Sequence, residues 1–267
     1  MIYLRIQTSE RDSDEFEARL LATDTIGLEE RNSETLAYFS EMSAAEDAAV
    51  ALADLNPELI EAPDQNWQAK WQEQWRSFEI GQRFFLAPEW DAAPTPEGRI
   101  RLRMHSGMAF GSGDHATTQL GLLALEGHLR PGDRVLDLGA GSAILLIAAR
   151  RLGAGLAIGT EIDAVALRLA QENVLAESLA ADLVLTASCG FREACFDLVI
   201  ANISPHAAMG LSDEIVRVLR PGGRGFVGGF TEDEEGEVVG HYKRMSCGVA
   251  GVERREEWRM LRFRREG

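Results

Sequence analysis

The sequence predicts an α/β protein: a doubly wound, mostly parallel sheet with an antiparallel hairpin at one edge, preceded by a small α+β domain of ferredoxin-like order. Three observations predict it. From Asp133 onward, apolar strand-like runs alternate with helical periodicity. The last two runs, CGVAGVERR and EEWRMLRFRR, stand too close together for a helical crossover and fit an antiparallel pair. The first 64 residues read strand, helix, strand, strand, helix and a weak last strand.

Taken in order, MIYLRIQ alternates like a strand and DSDEFEARLLA has helical spacing after Ser13 or Asp14. TIGLEERN and ETLAYFS read as strands, SAAEDAAVALADL as a helix, and Glu58 to Ala62 as the last strand. This domain is placed at residues 1–64. A linking segment, 65–98, follows. In NWQAKWQEQWRSFEIG the residues Trp67, Trp71 and Trp75 lie four apart, with Phe78 three further on, so one helical face carries all four and is expected to be buried. RFFLAP and RIRLRM read as strands around the turn-rich DAAPTPEG. The main domain, 99–267, then runs RVLDLG, SAILLIAARRLG, LAIGTEID, AVALRLAQENVLAE and on to RGFVGGF.

The 267 residues carry a net charge of −16, which disfavours direct nucleic-acid binding and leaves a basic protein as a fitting partner. That charge is uneven. Residues 1–66 hold 4 basic and 16 acidic side chains (net −12), against 23 and 27 (net −4) in residues 67–267, so the excess belongs to the first domain. It suits either a solvated face or a docking surface. No stretch approaches the roughly 18 apolar residues of a membrane span, and the charged opening lacks a signal-peptide core, so a cytoplasmic location is expected. Cys189, Cys195 and Cys247 are odd in number and show no paired ligand spacing, which points to neither a disulfide framework nor a metal site.

VLDLGAGSA sets a glycine-rich turn between a buried strand and a helix. Gly139 and Gly141 permit a tight turn and close backbone approach to a ligand. A dinucleotide fingerprint needs a third glycine at position 144, which is Ile144, so a pyrophosphate cradle and an NAD-dependent enzyme are disfavoured. Glu161 ends the next strand at the position where a carboxylate accepts the ribose hydroxyls of an adenine cofactor, and Asp163 is expected to cap the following helix. CFDLVIANISPH ends a further strand at Asn202. That side chain either holds an amine or the amino-acid end of a cofactor, or caps the helix near Pro205. Ahead of the first core strand, AFGSGDHATT holds glycines, His115 and threonines, the last suited to capping a helix near Ala116.

Together these residues resemble a class I S-adenosylmethionine-dependent methyltransferase. From Asn66 onward, and in the order and size of the acidic domain before it, the chain is similar to the ribosomal protein L-eleven (L11) methyltransferases, which methylate amino groups of a large-subunit ribosomal protein. AFGSGDHATT follows that family's AFGTGxHxTT; WQAKWQEQW matches its Trp-rich helix, Ala201 to Ile203 its ANI tripeptide, and Glu256 to Trp258 its late EEW. The resemblance implies S-adenosylmethionine as cofactor, contacted by Thr118, Gly139, Glu161 and Asn202, with Phe110 and Gly111 closing over it. For the reaction itself, Asn202 and nearby backbone carbonyls are expected to align the amine, and His115 to shape the loop or relay a proton. Two departures stand out. Ala143 replaces the third glycine of GxGxG, placing an extra methyl toward the adenosine side, and Ser204–Pro205 follow ANI, which is similar to the NPPY loop of amide and base aminomethylases. A lysine methyltransferase of flavoprotein-subunit type and a catalytically silent cofactor-binding module are the alternatives.

Overall fold

The computed structural model describes residues 2–7, 19–20, 23, 25, 27–31, 34–39, 41–61, 76–104, 113–186, 190–245 and 247–266. The chain divides into two compact units, Met1–Gln74 and Trp75–Gly267.

In the first unit, β1 (Ile2–Gln7), β2 (Gly27–Arg31), β3 (Glu34–Phe39) and β4 (Glu58–Glu61) form one sheet in the order β2-β3-β1-β4. Every neighbouring pair is antiparallel, which is the ferredoxin-like arrangement. Leu4 and Ile6 alternate with less buried neighbours along β1, so one face of the sheet is apolar. Helix α1 (Met42–Ala51) packs on the sheet, and its Ala45 and Ala48 share a core with Leu4, Ile6, Leu20, Ala37 and Phe39. Trp67, Trp71 and Trp75 and most of the first expected helix lie outside the described residues.

The second unit opens with a three-stranded sheet of β5 (Phe78–Ile80), β6 (Phe84–Pro88) and β7 (Ile100–Met104). Here the expectation for Phe78 is corrected: it belongs to a strand, not to a helical face shared with the tryptophans. Phe78 to Ile80 pair antiparallel with β6 across a turn at Gly81, whose φ is +55°. Glu126 closes that turn by accepting from the backbone N–H groups of Gln82 and Arg83.

The main sheet follows the order β10-β9-β8-β11-β12-β14-β13. Its strands are β8 (Arg134–Leu138), β9 (Leu156–Glu161), β10 (Asp182–Leu185), β11 (Phe196–Asn202), β12 (Leu219–Thr231), β13 (Cys247–Arg255) and β14 (Trp258–Arg265). The first five are parallel, and β14 runs antiparallel to both β12 and β13. The strands alternate between two cores. Val135, Leu198, Ile200, Phe226 and Met260 face α2 (Ala116–His128), α3 (Ile144–Arg151) and α4 (Ala164–Ala176). Leu136, Val199, Ala201, Val227 and Leu261 face α5 (Pro205–Gly210), α6 (Ser212–Val218) and α7 (Glu235–Lys243).

The amino-terminal strand ends are stapled by buried polar groups. Arg224 pairs with Asp133 at 2.7 Å, with both side chains about nine-tenths buried, and Asp197 accepts from the Arg134 N–H while pairing with Arg220. The opposite ends open where strand order reverses between β8 and β11, and ligands of doubly wound sheets bind at that place. No described helix is long and apolar enough to cross a membrane.

Candidate active site

A crevice of about 600 Å³ lies over the carboxyl ends of β8, β9 and β11. Its walls include Thr118, Gly139, Gly141, Thr160, Glu161, Asn202, Ile203 and His206. The size is that of a small-molecule site. Of the sequence-predicted residues it brings together Thr118, Gly139, Gly141, Glu161 and Asn202. Phe110 and Gly111 lie outside the described residues.

The glycine turn is set by torsion and by space. Gly139 has φ +74°, and a Cβ there would stand 2.4 Å from Ile203 Cγ2, so a side chain is excluded twice over. Gly141, at φ +52°, donates its N–H to Glu161 Oε2 at 2.9 Å. Ala143 keeps the third left-handed position at φ +65° and ψ +17°, directly before α3. Its methyl, expected on the adenosine side, lies in the core. Ala143 is fully buried in the core beneath α2 and α3 and is not part of the crevice wall, because the left-handed backbone aims Cβ inward. A non-glycine residue in this conformation costs about 1 kcal/mol, and burying one methyl offsets most of it at ~0.8 kcal/mol. The turn has a further support that the sequence did not reveal: Asn173, 31 residues on and 4 % exposed, donates to Ser142 O at 2.9 Å.

Glu161 is 8 % exposed and holds three backbone donors. Gly141 N–H bonds Oε2, while Ile162 N–H at 2.7 Å and Asp163 N–H at 3.1 Å bond Oε1. A carboxylate has roughly four lone-pair sites, so one remains, on Oε2. Asp163 caps α4 as expected, accepting from Val165 N–H at 2.7 Å.

Asn202 ends β11 and does not cap the next helix. Ser204 does so, its Oγ accepting from Ala207 N–H with Pro205 at the first helical position. At the start of α2 the cap is His115 rather than a threonine: its Nδ1 accepts from Thr117 N–H, and its ring meets Trp258 edge-on at 5.0 Å. The AFGSGDHATT and EEW segments are thereby in contact. His115 is part of the helix start and not of the crevice wall, whose titratable members among the described residues are Glu161 and His206.

Several buried polar atoms at this end of the sheet have no partner among the described residues: Thr118 Oγ1, Thr160 Oγ1 and Asn202 Oδ1. Native interiors leave few such groups, so hydroxyls of this kind in a crevice wall point to a polar ligand. The Thr118 and Thr160 hydroxyls, together with the free lone pair of Glu161, fit a cofactor that carries hydroxyl and amino groups. Asp137, 1 % exposed on the α2–α3 side of β8, was not foreseen as special. Burial, then the negative charge of Glu161, pushes its carboxyl up to about 7.

Sheet order, glycine turn and strand-end carboxylate define a class I S-adenosylmethionine-dependent methyltransferase. Comparison with known proteins narrows the class. Residues 4–266 match the family model described as Ribosomal protein L11 methyltransferase (PrmA). The chain is 32% identical to the ribosomal protein L11 methyltransferase of Myxococcus xanthus over 96% of its own length and 95% of the relative's. The corresponding Geobacter sulfurreducens protein is 35% identical over 93% and 88%. The crystal structure of the ribosomal protein L11 methylase from Lactobacillus delbrueckii subsp. bulgaricus superposes with a TM-score of 0.67 at 26% identity. It covers 72% of this chain and 100% of that one. The chain belongs to the ribosomal protein L11 methyltransferase family.

Proposed function

We propose that this protein transfers methyl groups from S-adenosylmethionine to amino groups of ribosomal protein L11, at lysine side chains, the N-terminus or both. The reading rests chiefly on the family match across residues 4–266, and the crevice chemistry supports it. S-adenosylmethionine supplies, when bound, an electrophilic methyl on a sulfonium. The remaining work belongs to the chain. Glu161 would hold a ribose hydroxyl, Thr118 and Thr160 would offer hydroxyls to the cofactor, and Gly139 would let the backbone lie against it. Asn202 orients the incoming amine, which attacks only as the neutral base. His206, exposed at the rim, is the titratable group placed to take the proton that the amine sheds. Positioning the two reactants in a confined crevice supplies most of the acceleration.

Substrate recognition is assigned to residues 1–64, cofactor binding to 99–267, and the connection to 65–98. A net charge of −12 on residues 1–66 suits a basic protein partner rather than nucleic acid, and the protein is placed in the cytoplasm. The departure from the family pattern at Ser204–Pro205, after Ala201 to Ile203, bears on the substrate and leaves a lysine on another protein as the second reading. Incubation with methyl-labelled cofactor and unmethylated ribosomal protein L11 decides between them. Label in L11 is the expected result; its absence, with label entering another protein, overturns the first reading.

Thr118→Val tests the cofactor contact separately from folding. Thr118 is 1 % exposed and its hydroxyl bonds nothing among the described residues, so valine of nearly equal shape leaves the thermal midpoint unchanged or slightly higher. The dissociation constant for S-adenosylmethionine is expected to rise about 5- to 10-fold, the effect of one neutral hydrogen bond of ~1 kcal/mol. Unchanged affinity in calorimetry removes Thr118 from the binding set.

A further inference from the structure

Three segments far apart in the chain meet at the start of α2. Thr117, 2 % exposed, sets its hydroxyl 2.8 Å from His115 Nδ1 and 3.3 Å from Asn202 Nδ2. Nδ1 also receives the Thr117 backbone N–H as the cap of α2, so that nitrogen carries a lone pair. The hydroxyl proton of Thr117 therefore goes to Nδ1. Having donated there, the oxygen can only accept from Asn202, and the amide must turn its Nδ2 toward Thr117. Oδ1 is the end left over, buried and without a protein partner, on a residue that lines the crevice. Trp258 against the His115 ring fixes the first link of this chain of contacts.

We infer that Thr117 is a positioning residue for methyl transfer: it locks the Asn202 amide so that an acceptor, Oδ1, is presented to an N–H of the substrate amine. The inference rests on the methyltransferase reading above. Its chemical logic lies in the amine's lone pair. That pair forms the new C–N bond as the C–S bond breaks, and the proton left on the product nitrogen leaves afterwards. An acceptor beside the amine binds an N–H and leaves the pair free. An amide turned the other way would donate into the pair and oppose the attack.

The test compares the full chain with Thr117→Val, which keeps shape without a hydroxyl, and Thr117→Ser, which keeps the hydroxyl. With ribosomal protein L11 as substrate, Thr117→Val is expected to lower kcat about 30-fold while KM and the cofactor dissociation constant stay within threefold. Thr117→Ser is expected to recover most of that loss. Should valine prevent folding, Thr117→Ala carries the same expectation with less steric demand. An undiminished kcat in the hydroxyl-free variant, a serine variant as impaired as valine, or a loss accounted for by cofactor affinity overturns the inference. A parent chain that methylates no protein overturns the reading of function itself and the inference with it; an active parent with an active valine variant overturns the inference alone.

Discussion

Glu161→Gln is expected to weaken S-adenosylmethionine binding about 100-fold at pH 7.5 and to lower the thermal midpoint by about 4 °C. The substitution is conservative only in shape. Both carboxylate oxygens already receive backbone N–H groups, Gly141 on one side and Ile162 with Asp163 on the other, so either orientation of the amide sets a donor against a donor. A buried N–H left facing N–H₂ costs about 1–2 kcal/mol, which for a unit of this size is a few degrees. The cofactor loses a charge-assisted bond at Oε2 and the preorganised turn beside it, together ~2.7 kcal/mol. Calorimetric titration and a melting curve measure the two effects separately. Affinity within threefold of the parent's removes Glu161 from the ribose contact.

Asp137→Asn is expected to raise stability at pH 8 by more than at pH 5. In the folded chain the carboxyl titrates near 7, against a reference of 3.8, because burial and then the charge of Glu161 disfavour ionisation. Between those two values the unfolded chain has released the proton and the folded chain still holds it. Folded stability from this group therefore falls as pH rises from about 4 to 7, and the full loss stands at pH 8. Three pH units correspond to at most about 4 kcal/mol. Asparagine never ionises, so the variant escapes that loss. Denaturant unfolding of parent and variant at pH 5 and pH 8 reads the difference; equal stability gaps at both values sink the assignment.

Much of this architecture was legible in the sequence because backbone physics writes it there. Strands buried on alternating faces must alternate, as Leu136 and Val135 do on opposite sides of β8, and left-handed turns draw glycine, as at Gly139 and Gly141. The antiparallel hairpin was readable from the short spacing between Arg255 and Trp258. Phe78 misled because its distance from Trp75 fits a helix as well as the start of a strand, and only pairing with β6 chooses between them. The site was legible by position and much less by contact. Nothing local marks Asn173 as the support of Ser142, nor Asp137 as a fully buried carboxyl inside an apolar strand. The Thr117 link joins residues 85 positions apart, which no periodicity encodes.

Ala143 has a consequence for how such proteins are found. Its φ of +65° reproduces the bend that a third glycine would supply, with the methyl stored in the core and outside the crevice wall. The third letter of the GxGxG signature therefore records a torsion angle, not a contact. A search that insists on glycine at that position would pass over enzymes whose cofactor crevice is intact, whereas one that tolerates alanine there and demands the strand-end acid would keep them.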